Sequence, residues 1–558
     1  MFRDRYLSYD EITAVCKEWA ARFPTFVKLS SIGQSVEGRE LWVLTLGEDP
    51  ERDRPSVWVD GNMHATEVAG SSVALAIAER KIRMHAEGES FGLPEHLCEQ
   101  LKETRFFVMP RMCPDGAEAI LKDGRYVRSN PRDGRPRPPA PRWLPHDLDG
   151  DGRILLMRRK SPHGEFCESK KRPGFLVPRQ LEDEGPFYQV FPEAIIEHFD
   201  GTIPSPTFLE DYDSDLNRNF PHSWKGEPDQ VGAGRFPLSE PESRAVVEFT
   251  TKTPSIFAWL NLHTFGGVYI RPPGTIPDKK FHPEDLALYK QIGEFCEKFG
   301  GYPMVSSFEE FLYEPDKPLY GDLTDFAFHE RATVAYVCEI WDLFNELGIA
   351  RKKPFVDHYS QLSRDDWEKL AEWDTQKNGG RIVQPWVSVQ HPQLGPVEVG
   401  GLDTRIGVSN PPLDRLSEVC DRQCDAFFRT AAMGPRMSVR HVSTERDGEV
   451  TTLRFQVENL GYLPTYVVAS GKKLAHNGPV FAEAQCKGCT LVDPADATKE
   501  LGHLEGYGRG QFAHAIFYLR GKGGVSERTF AIRVRGRGSV SVRVGSLRMG
   551  HIELLHAV

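Results

Sequence analysis

The chain has 558 residues, of which 39% are hydrophobic and 27% are charged, and its formal net charge is −11. This length exceeds the roughly 250–300 residues that one hydrophobic core supports, so we expect two domains. The composition is typical of an ordinary soluble globular protein. The negative net charge argues against broad nucleic-acid binding, which requires a basic face.

No apolar run is long enough to span a membrane, so we expect no membrane partner. Residues 1–6 lack the apolar core of a signal peptide, which predicts a cytoplasmic protein, or a secreted one if a leader was removed. The cysteines are scattered without a dense framework, as expected in a reducing compartment. The oligomeric state stays open.

The chain begins with a predicted helix and two predicted strands. Residues 6–23 have helical periodicity, and Ser8 and Glu11 have the spacing of a capping box. Residues 27–33 and 41–46 have the pattern of strands joined by a turn.

A histidine and a carboxylate follow the next apolar strand, residues 55–59. Gly61 and Asn62 break this strand, and His64 and Glu67 then stand three residues apart before an apolar helical pattern. An imidazole and a carboxylate are two of the three ligands of a catalytic zinc site, which leaves one position for water. The pair alone is equally compatible with a polar turn at a strand end.

Two later strands also end in side chains of this kind. Residues 257–265 form an apolar strand with His263 near its end, and residues 333–339 form another that ends in Glu339. Open α/β sheets place their sites at the carboxyl ends of strands. Since packing does not explain this coincidence, we predict that these side chains and His64 share one site.

The alternation of strands and helices predicts an α/β fold with a mixed, mostly parallel central sheet flanked by helices. Further helices are predicted at residues 68–78, 283–299, 364–373 and 413–432. Ser239 and Glu242 have the spacing of another capping box.

The regular pattern is interrupted over about residues 125–205, a stretch that is rich in arginine and proline and reads as irregular. We expect an insertion that wraps the rim of the site. Within it, Asp147, Asp149 and Asp151 alternate as in the first half of a calcium loop. Arg158 at the twelfth position excludes an EF-hand. This leaves a calcium-stabilised loop of another geometry, or a turn closed by its own hydrogen bonds.

Residues from about 350 to Gly434 read as an extension of the first domain, with a glycine-rich turn at 399–401. After Gly434 the apolar period changes to two, and short strands alternate with turns. This pattern predicts a small all-β sandwich over residues 435–558, following a catalytic domain over residues 1–434.

A set of short motifs stands along the first domain: His64-Ala65-Thr66-Glu67, Tyr126-Val127-Arg128, Asp215-Leu216-Asn217-Arg218-Asn219-Phe220, Leu262-His263-Thr264 and Val337-Cys338-Glu339. In order and context these motifs resemble the zinc metallocarboxypeptidases similar to carboxypeptidase A. The resemblance covers about residues 6–345, and the run from Ser31 to Arg39 shares it. Dispersed motifs in the correct order are far more specific than any one of them.

The resemblance implies a zinc ion held by His64, Glu67 and His263. It further implies hydrolysis of the C-terminal peptide bond of peptides by a metal-bound water. Glu339 would be the general base that takes the proton of the water and later delivers it to the leaving amine. Arg128 would polarise the carbonyl and stabilise the developing oxyanion.

The same resemblance implies that Asn217 and Arg218 grip the C-terminal carboxylate of the substrate, which makes the enzyme an exopeptidase. Asp215 would orient a zinc histidine through its other ring nitrogen. The tyrosine that covers the substrate would be Tyr313 or Tyr320, and Tyr320 is the one that we include among the substrate-binding residues.

Some positions depart from the family pattern. Thr66 stands where digestive members carry an arginine that contacts extended peptides, so we expect different subsite binding. Ungapped counting back from Glu339 puts Thr324 at the floor of the specificity pocket, which suggests neither a strongly aliphatic nor a strongly basic preference. Asp322 or Asp325 would reverse this preference if the register slips.

Two other functions stay open. A zinc-dependent amidohydrolase that deacylates a small N-acyl amino acid would use the same metal and base, although such enzymes lack the long rim and the motif around Arg218. A non-catalytic protein that binds zinc or a glycan would not need Glu339, which is present. The sequence therefore favours a zinc carboxypeptidase acting on peptides, with calcium at the Asp147 loop as a second candidate cofactor.

Overall fold

The computed structural model describes residues 1–124, 127–131, 140–205, 214–314, 317–508 and 525–558. Part of the predicted insertion, and Tyr126 of the motif that contains Arg128, lie outside the described residues.

The helices of the described chain are α1 (Tyr9–Arg22), α2 (Ala69–Ala86), α3 (Glu95–Lys102), α4 (Pro114–Asp123), α5 (Pro241–Thr251), α6 (Pro283–Phe295), α7 (Ser307–Glu310), α8 (Leu323–Asp325), α9 (Leu343–Glu346), α10 (Asp357–Ser360), α11 (Arg364–Lys377) and α12 (Leu413–Ala431). Two π-helical turns, Cys296–Gly300 and Phe326–Glu330, continue α6 and α8.

The strands of the first part are β1 (Val27–Gln34), β2 (Glu40–Leu46), β3 (Ser56–Gly61), β4 (Arg105–Met109), β5 (Arg142–Pro145), β6 (Leu156–Lys160), β7 (Phe166–Glu168), β8 (Leu176–Pro178), β9 (Phe187–Pro192), β10 (Ala194–Glu197), β11 (Ile256–Thr264), β12 (Val268–Arg271), β13 (Met304–Ser306), β14 (Val334–Ile340), β15 (Val383–His391) and β16 (Gly395–Leu402). Those of the second part are β17 (Met437–Asp447), β18 (Val450–Asn459), β19 (Val480–Lys487), β20 (Thr490–Leu491), β21 (Thr498–Gly502), β22 (Glu527–Arg535), β23 (Ser539–Ser546) and β24 (Gly550–Ala557).

An eight-stranded sheet forms the centre of the first part, in the order β1-β2-β4-β3-β11-β14-β12-β13. Strands β4, β3, β11 and β14 run parallel, whereas β1, β2 and β12 pair antiparallel with their neighbours β2, β4 and β14. Every residue of β3, β4 and β11 is buried, because helices cover both faces of the sheet. The predicted mixed sheet flanked by helices is confirmed.

Helix α1 begins where the sequence predicts. The Ser8 hydroxyl accepts a hydrogen bond from the Glu11 N–H, and the Glu11 carboxylate accepts one from the Ser8 N–H at 2.9 Å. The predicted capping box at Ser239 and Glu242 is wrong. Helix α5 begins at Pro241, and the side chain of Glu240 before it makes no capping hydrogen bond. Proline at the first helical position fixes this start without a side-chain cap.

The prediction of an irregular insertion is also wrong for its described part. Strands β6 to β9 join β15 and β16 in a six-stranded sheet of order β15-β16-β6-β9-β7-β8, so the insertion and the extension fold together. The link between them is the antiparallel pair of β6 and β16, in which Arg158 lies opposite Glu398. The strands of the insertion are short, and the pair of β6 and β16 joins residues far apart in sequence, so a local pattern does not reveal this sheet.

Residues 399–401 lie inside β16 rather than in a turn. A Cβ atom on Gly400 would lie 2.2 Å from the Pro385 carbonyl oxygen, and one on Gly401 would lie 2.6 Å from the Trp386 ring. The glycines therefore permit a close approach of β15, and do not mark a chain reversal.

The second part contains two antiparallel four-stranded sheets, of order β17-β18-β22-β20 and β21-β19-β23-β24. Alternate residues of β18 and β23 are buried, and their apolar side chains share one core. The predicted β-sandwich is confirmed, while the division at Gly434 into two domains stays a prediction. Among the described residues, no helix is both long and apolar enough to cross a membrane.

Candidate metal centre

Three adjacent strands bring the predicted ligands together. In the parallel pairs, Leu262 lies beside Gly61, and His263 lies beside Glu339. A Cβ atom on Gly61 would lie 2.5 Å from the Gly70 carbonyl oxygen. Only glycine at position 61 therefore permits this close approach between the end of β3 and the start of α2. A Cβ atom on Gly70 would in turn lie 3.0 Å from the Leu262 carbonyl oxygen, so the loop that carries His64 and Glu67 lies against the end of β11.

The side chains of His64, Glu67 and His263 converge and are all buried. The His64 Nδ1 atom lies 2.7 Å from Glu67 Oε1, and the His263 Nδ1 atom lies 2.9 Å from Glu67 Oε2. The two Nδ1 atoms are 3.0 Å apart.

Acceptors on the far side of each ring decide which nitrogen carries the proton. The His64 Nε2 atom lies 3.1 Å from Asp215 Oδ1, and the His263 Nε2 atom lies 2.5 Å from Asn261 Oδ1. The Asn261 amide group donates to Asp60, which fixes its oxygen towards the ring. Because both Nε2 atoms face acceptors, the neutral tautomer that this arrangement favours carries its proton on Nε2 and turns the Nδ1 lone pair towards Glu67.

This donor set fits a zinc ion. Two imidazole lone pairs and a carboxylate repel one another unless a cation lies between them. Tetrahedral zinc with nitrogen ligands at 2.0–2.1 Å would separate the ligand atoms by about 3.3 Å, close to the observed spacings. Two histidines and one glutamate form the ligand set of catalytic zinc sites that keep one open position.

Glu339 and Arg128 line the same cavity as the three ligands. Burial and the neighbouring Glu67 carboxylate raise the pKa of Glu339 well above its ordinary value, while Arg128 opposes this shift. The Arg128 Nε atom lies 3.0 Å from Asp215 Oδ2, and its Nη1 atom lies 3.7 Å from Glu67 Oε1. This arginine therefore contacts both the ligand shell and the cavity.

The turn Leu216–Arg218 presents Asn217 and Arg218 to the cavity. Asp215 caps this turn by accepting from the Asn217 N–H at 2.8 Å. The Asn217 Oδ1 atom accepts from the Leu323 N–H at 2.9 Å, so its amide N–H groups remain as donors. In the part of the chain that is described, Arg218 has no carboxylate partner within ion-pair distance, although it lines the cavity.

The cavity has a volume of about 230 Å³. Besides the metal ligands it is lined by Thr66, Arg128, Asn217, Arg218, Thr264, Phe265, Ile270, Arg271, Pro272, Ser307, Phe311, Tyr313, Leu319, Asp322, Thr324, Asp325, Val337, Glu339, Tyr359 and Ser409. Arg128, near the start of the predicted insertion, belongs to this lining, whereas no described residue between 140 and 205 does.

The structure separates the two candidate tyrosines. Tyr313 lines the cavity, whereas Tyr320 does not, and the Lys225 ammonium group lies 4.0 Å from the centre of the Tyr320 ring. Thr324 lines the cavity together with Asp322 and Asp325, and its place at the floor of a specificity pocket stays a prediction. The polarity of the pocket is therefore not set by Thr324 alone.

Sequence reasoning missed several residues of the site. Asn261 orients His263, and its role follows from the position of β11 beside Asp60 in the folded sheet. Tyr359 and Ser409 reach the cavity from the extension, and the Tyr359 hydroxyl donates to the Phe265 carbonyl. No local signal marks them, because their neighbours in space are distant in sequence.

The Asp147 loop adopts the turn that was the alternative to calcium binding. The Asp147 carboxylate accepts from the N–H groups of Gly150 at 2.7 Å and Gly152 at 2.9 Å. Asp149 and Asp151 accept from backbone N–H groups in the same loop. The three carboxylates are close enough to share an ion, but these hydrogen bonds account for the geometry without one, and calcium stays a prediction.

Residues 12–345 match the model of the zinc carboxypeptidase family, so this chain belongs to that family. Residues 436–555 match a domain of unknown function. The resemblance found in the motifs is thereby confirmed over the catalytic part.

Individual relatives match over shorter stretches. Carboxypeptidase M of Mus musculus is 33% identical over 132 residues, which are 23% of this chain and 28% of that protein. Carboxypeptidase D of Anas platyrhynchos is 31% identical over 124 residues, 22% of this chain and 8% of that protein. The chain thus matches less than a third of the length of these curated relatives.

Among solved structures, bovine thrombin-activatable fibrinolysis inhibitor, in complex with tick carboxypeptidase inhibitor, is similar with a TM-score of 0.44. The identity is 16%, and the match covers 77% of this chain and 98% of that chain. The carboxypeptidase A of Helicoverpa armigera also has a TM-score of 0.44 at 16% identity, with 77% of this chain and 74% of that chain covered.

Proposed function

We propose that this protein is a zinc-dependent metallocarboxypeptidase that releases the C-terminal residue of peptides. The observation that supports this most is the convergence of His64, Glu67 and His263 with both Nδ1 lone pairs turned inward. The same cavity holds Glu339 and Arg218. A metal site, a base and a carboxylate anchor are the parts that such a hydrolase needs.

Arg218 and Asn217 select the end of the peptide. The planar guanidinium of Arg218 matches the two oxygens of a terminal carboxylate, and the Asn217 amide adds a donor beside it. A peptide that continued past this point would clash with the anchor and leave the guanidinium without its partner. The cleavage is therefore restricted to the last bond.

Proton transfer falls to Glu339. His64, Glu67 and His263 would hold the zinc ion, which would act as a Lewis acid on the scissile carbonyl and would lower the pKa of water. Glu339 removes the proton of the attacking water and delivers it to the leaving amine. Arg128 places a positive charge at the carbonyl oxygen as negative charge develops there.

The test uses purified, metal-quantified protein and a peptide library, read by mass spectrometry beside the Glu339→Gln variant. We expect stepwise loss of single C-terminal residues by the natural protein and none by the variant, which should retain its zinc. Libraries that end in lysine, phenylalanine or glutamate also report the side-chain preference of the pocket. Zinc binding without any trimming would overturn the proposal and favour hydrolysis of a small N-acyl amino acid.

A further inference from the structure

A second group of metal-ligand side chains lies next to the cavity, outside the His64–Glu67–His263 centre. His222, Asp325 and His329 each offer one ligand atom, and these atoms all lie within 4.8 Å of one another.

These side chains stand on a continuous helical segment and on a loop that is hydrogen-bonded to the start of that segment. Asp325 ends α8, and His329 lies four residues later in the π-helical turn Phe326–Glu330. Residues four apart on a helical segment lie on the same face, and π-helical turns are rare and frequent at functional sites. The loop of His222 is tied to the start of α8, because the Phe220 N–H donates to the Gly321 carbonyl at 2.9 Å.

His329 has an unused ring nitrogen. Its Nε2 atom is buried and has no hydrogen-bond partner within the described residues. Burial and the neighbouring His222 lower the pKa of His329 to about 4, so the ring is neutral near pH 7 and keeps one lone pair. A buried nitrogen without a partner is unfavourable unless something absent from the protein satisfies it.

His222 is held in the way that a metal ligand usually is. Its Nδ1 atom lies 3.3 Å from Glu330 Oε1. A carboxylate on one ring nitrogen orients the imidazole and leaves the other nitrogen for a metal, as Asp215 does for His64. The rings of His222 and His329 are stacked with centroids 4.4 Å apart, so their edges run alongside each other.

Asp325 is 2% exposed, and its only hydrogen-bond donor in the described structure is the Gly274 N–H, at 2.9 and 3.1 Å from its two oxygens. No lysine or arginine among the described residues forms an ion pair with it. Asp322 adds a second negative charge nearby, and burial together with this neighbour raises the pKa of Asp325 well above its ordinary value. A buried carboxylate in this position requires a proton or a cation.

We propose that His222, Asp325 and His329 bind a divalent transition metal ion, such as zinc, at a second site in the wall of the cavity. Imidazole and carboxylate ligands together suit such ions. Coordination would draw the three ligand atoms together, because the edge of a zinc tetrahedron is about 3.3 Å. Asp325 also lines the cavity, so this ion would lie next to it.

Metal stoichiometry tests this proposal on the full chain, after equilibration with zinc and removal of free ion. We expect two zinc ions per chain in the natural protein and one in each of His222→Asn and His329→Asn. His64→Asn should also retain one, whereas the His64→Asn/His329→Asn double variant should hold none. The matched control is the exposed His163, whose change to asparagine should leave two.

One zinc per chain in the natural protein, absent in His64→Asn, would overturn the proposal and indicate that Asp322 and Asp325 share a proton instead. Two ions retained by His329→Asn would overturn it as well. If His329→Asn fails to fold, zinc titration of the His64→Asn/Glu67→Gln variant decides, because its Tm rises with zinc only if the second site exists. Peptide hydrolysis does not enter this test, so it can fail independently of the proposed function.

Discussion

At the scale of single residues, the proposed zinc centre depends on side chains that do not touch the metal. Asp215 and Asn261 hold the outer nitrogens of His64 and His263, and they thereby decide which nitrogen faces Glu67. A ring without its acceptor can rotate or change tautomer, and either change removes a lone pair from the ligand set.

We therefore predict that Asn261→Leu lowers the zinc affinity by about 10- to 100-fold, the usual effect of losing such a partner. Asn261→Gln keeps both the acceptor towards His263 and the donor towards Asp60, and should retain more of the affinity than Asn261→Leu. Competition with a chelator of known affinity measures both variants. Equal zinc affinity in Asn261→Leu and the natural protein would show that the Asn261 contact does not orient the ring.

Replacing Arg218 tests the carboxylate anchor. Arg218→Met removes a charge-assisted contact of about 2 to 3 kcal/mol, so kcat/KM on peptides with a free C-terminus should fall roughly 30- to 150-fold. The contact exists in both the bound substrate and the transition state, so the change should appear mainly in KM.

The control for this variant is a peptide with an amidated C-terminus, which carries no carboxylate. Its slow hydrolysis should be the same with Arg218→Met as with the natural protein, and Arg218→Lys should recover part of the preference for free acids. An unchanged ratio of acid to amide hydrolysis in Arg218→Met would place the anchor elsewhere.

At the scale of elements, the contact between β3 and α2 positions the first two ligands. We predict that Gly61→Ala lowers the free energy of unfolding by about 1 to 3 kcal/mol and reduces zinc content, because its Cβ atom would meet the Gly70 carbonyl at 2.5 Å. Gly478→Ala is the control, since an added Cβ atom there meets no atom within 4 Å. Urea unfolding and metal analysis measure both, and full zinc occupancy in Gly61→Ala would contradict the prediction.

A buried lysine between α2 and α3 makes stability depend on pH. The Lys81 Nζ atom donates to the Leu101 carbonyl, and burial lowers the pKa of this side chain from 10.5 to about 7. The unfolded chain therefore binds the proton more tightly than the folded chain does. The free energy of unfolding is therefore highest above pH 10.5, where Lys81 is neutral in both states. It decreases as the pH falls from 10.5 to about 7, because the unfolded chain takes up the proton first.

We predict that Lys81→Met removes this dependence and is more stable than the natural protein near pH 7, because methionine needs no proton and fits the apolar site. One pKa unit corresponds to about 1.36 kcal/mol, so the difference between the two proteins should shrink by several kcal/mol between pH 7 and 10. Urea unfolding at both pH values measures it. Parallel pH curves for the two proteins would show that Lys81 is charged in the folded state.

The strands and helices also show which parts of the fold and of the site can be predicted from the sequence. The sequence shows the candidate ligands because they stand at or just after the ends of apolar runs, as His263 stands near the end of β11. The sheet shared by the insertion and the extension is not visible, because β6 has no local partner and pairs with β16. For the same reason Tyr359 is invisible as a cavity residue, since only the folded chain brings α10 to Phe265.

At the scale of the whole molecule, the β-sandwich is attached to the far end of the strand that carries His263. Arg548, which is buried, donates to the carbonyls of Ile256 and Arg331, and its Nε atom donates to Asn477 Oδ1 at 2.9 Å. Ile256 is the first residue of β11. The link between the two parts is also packed, because a Cβ atom on Gly434 would lie 2.7 Å from the Phe257 ring.

These contacts predict that the two parts unfold together. Arg548→Ala leaves three acceptors without their donor, and each of the two buried ones, on Ile256 and Asn477, costs about 1 to 3 kcal/mol before water enters. Calorimetry should therefore show one transition for the natural protein and, for Arg548→Ala, an earlier separate transition of the sandwich, with zinc content unchanged at 25 °C. Arg543→Ala, at an exposed position on β23, should unfold like the natural protein. A single unshifted transition for Arg548→Ala would mean that Gly434 and the apolar contacts alone couple the two parts.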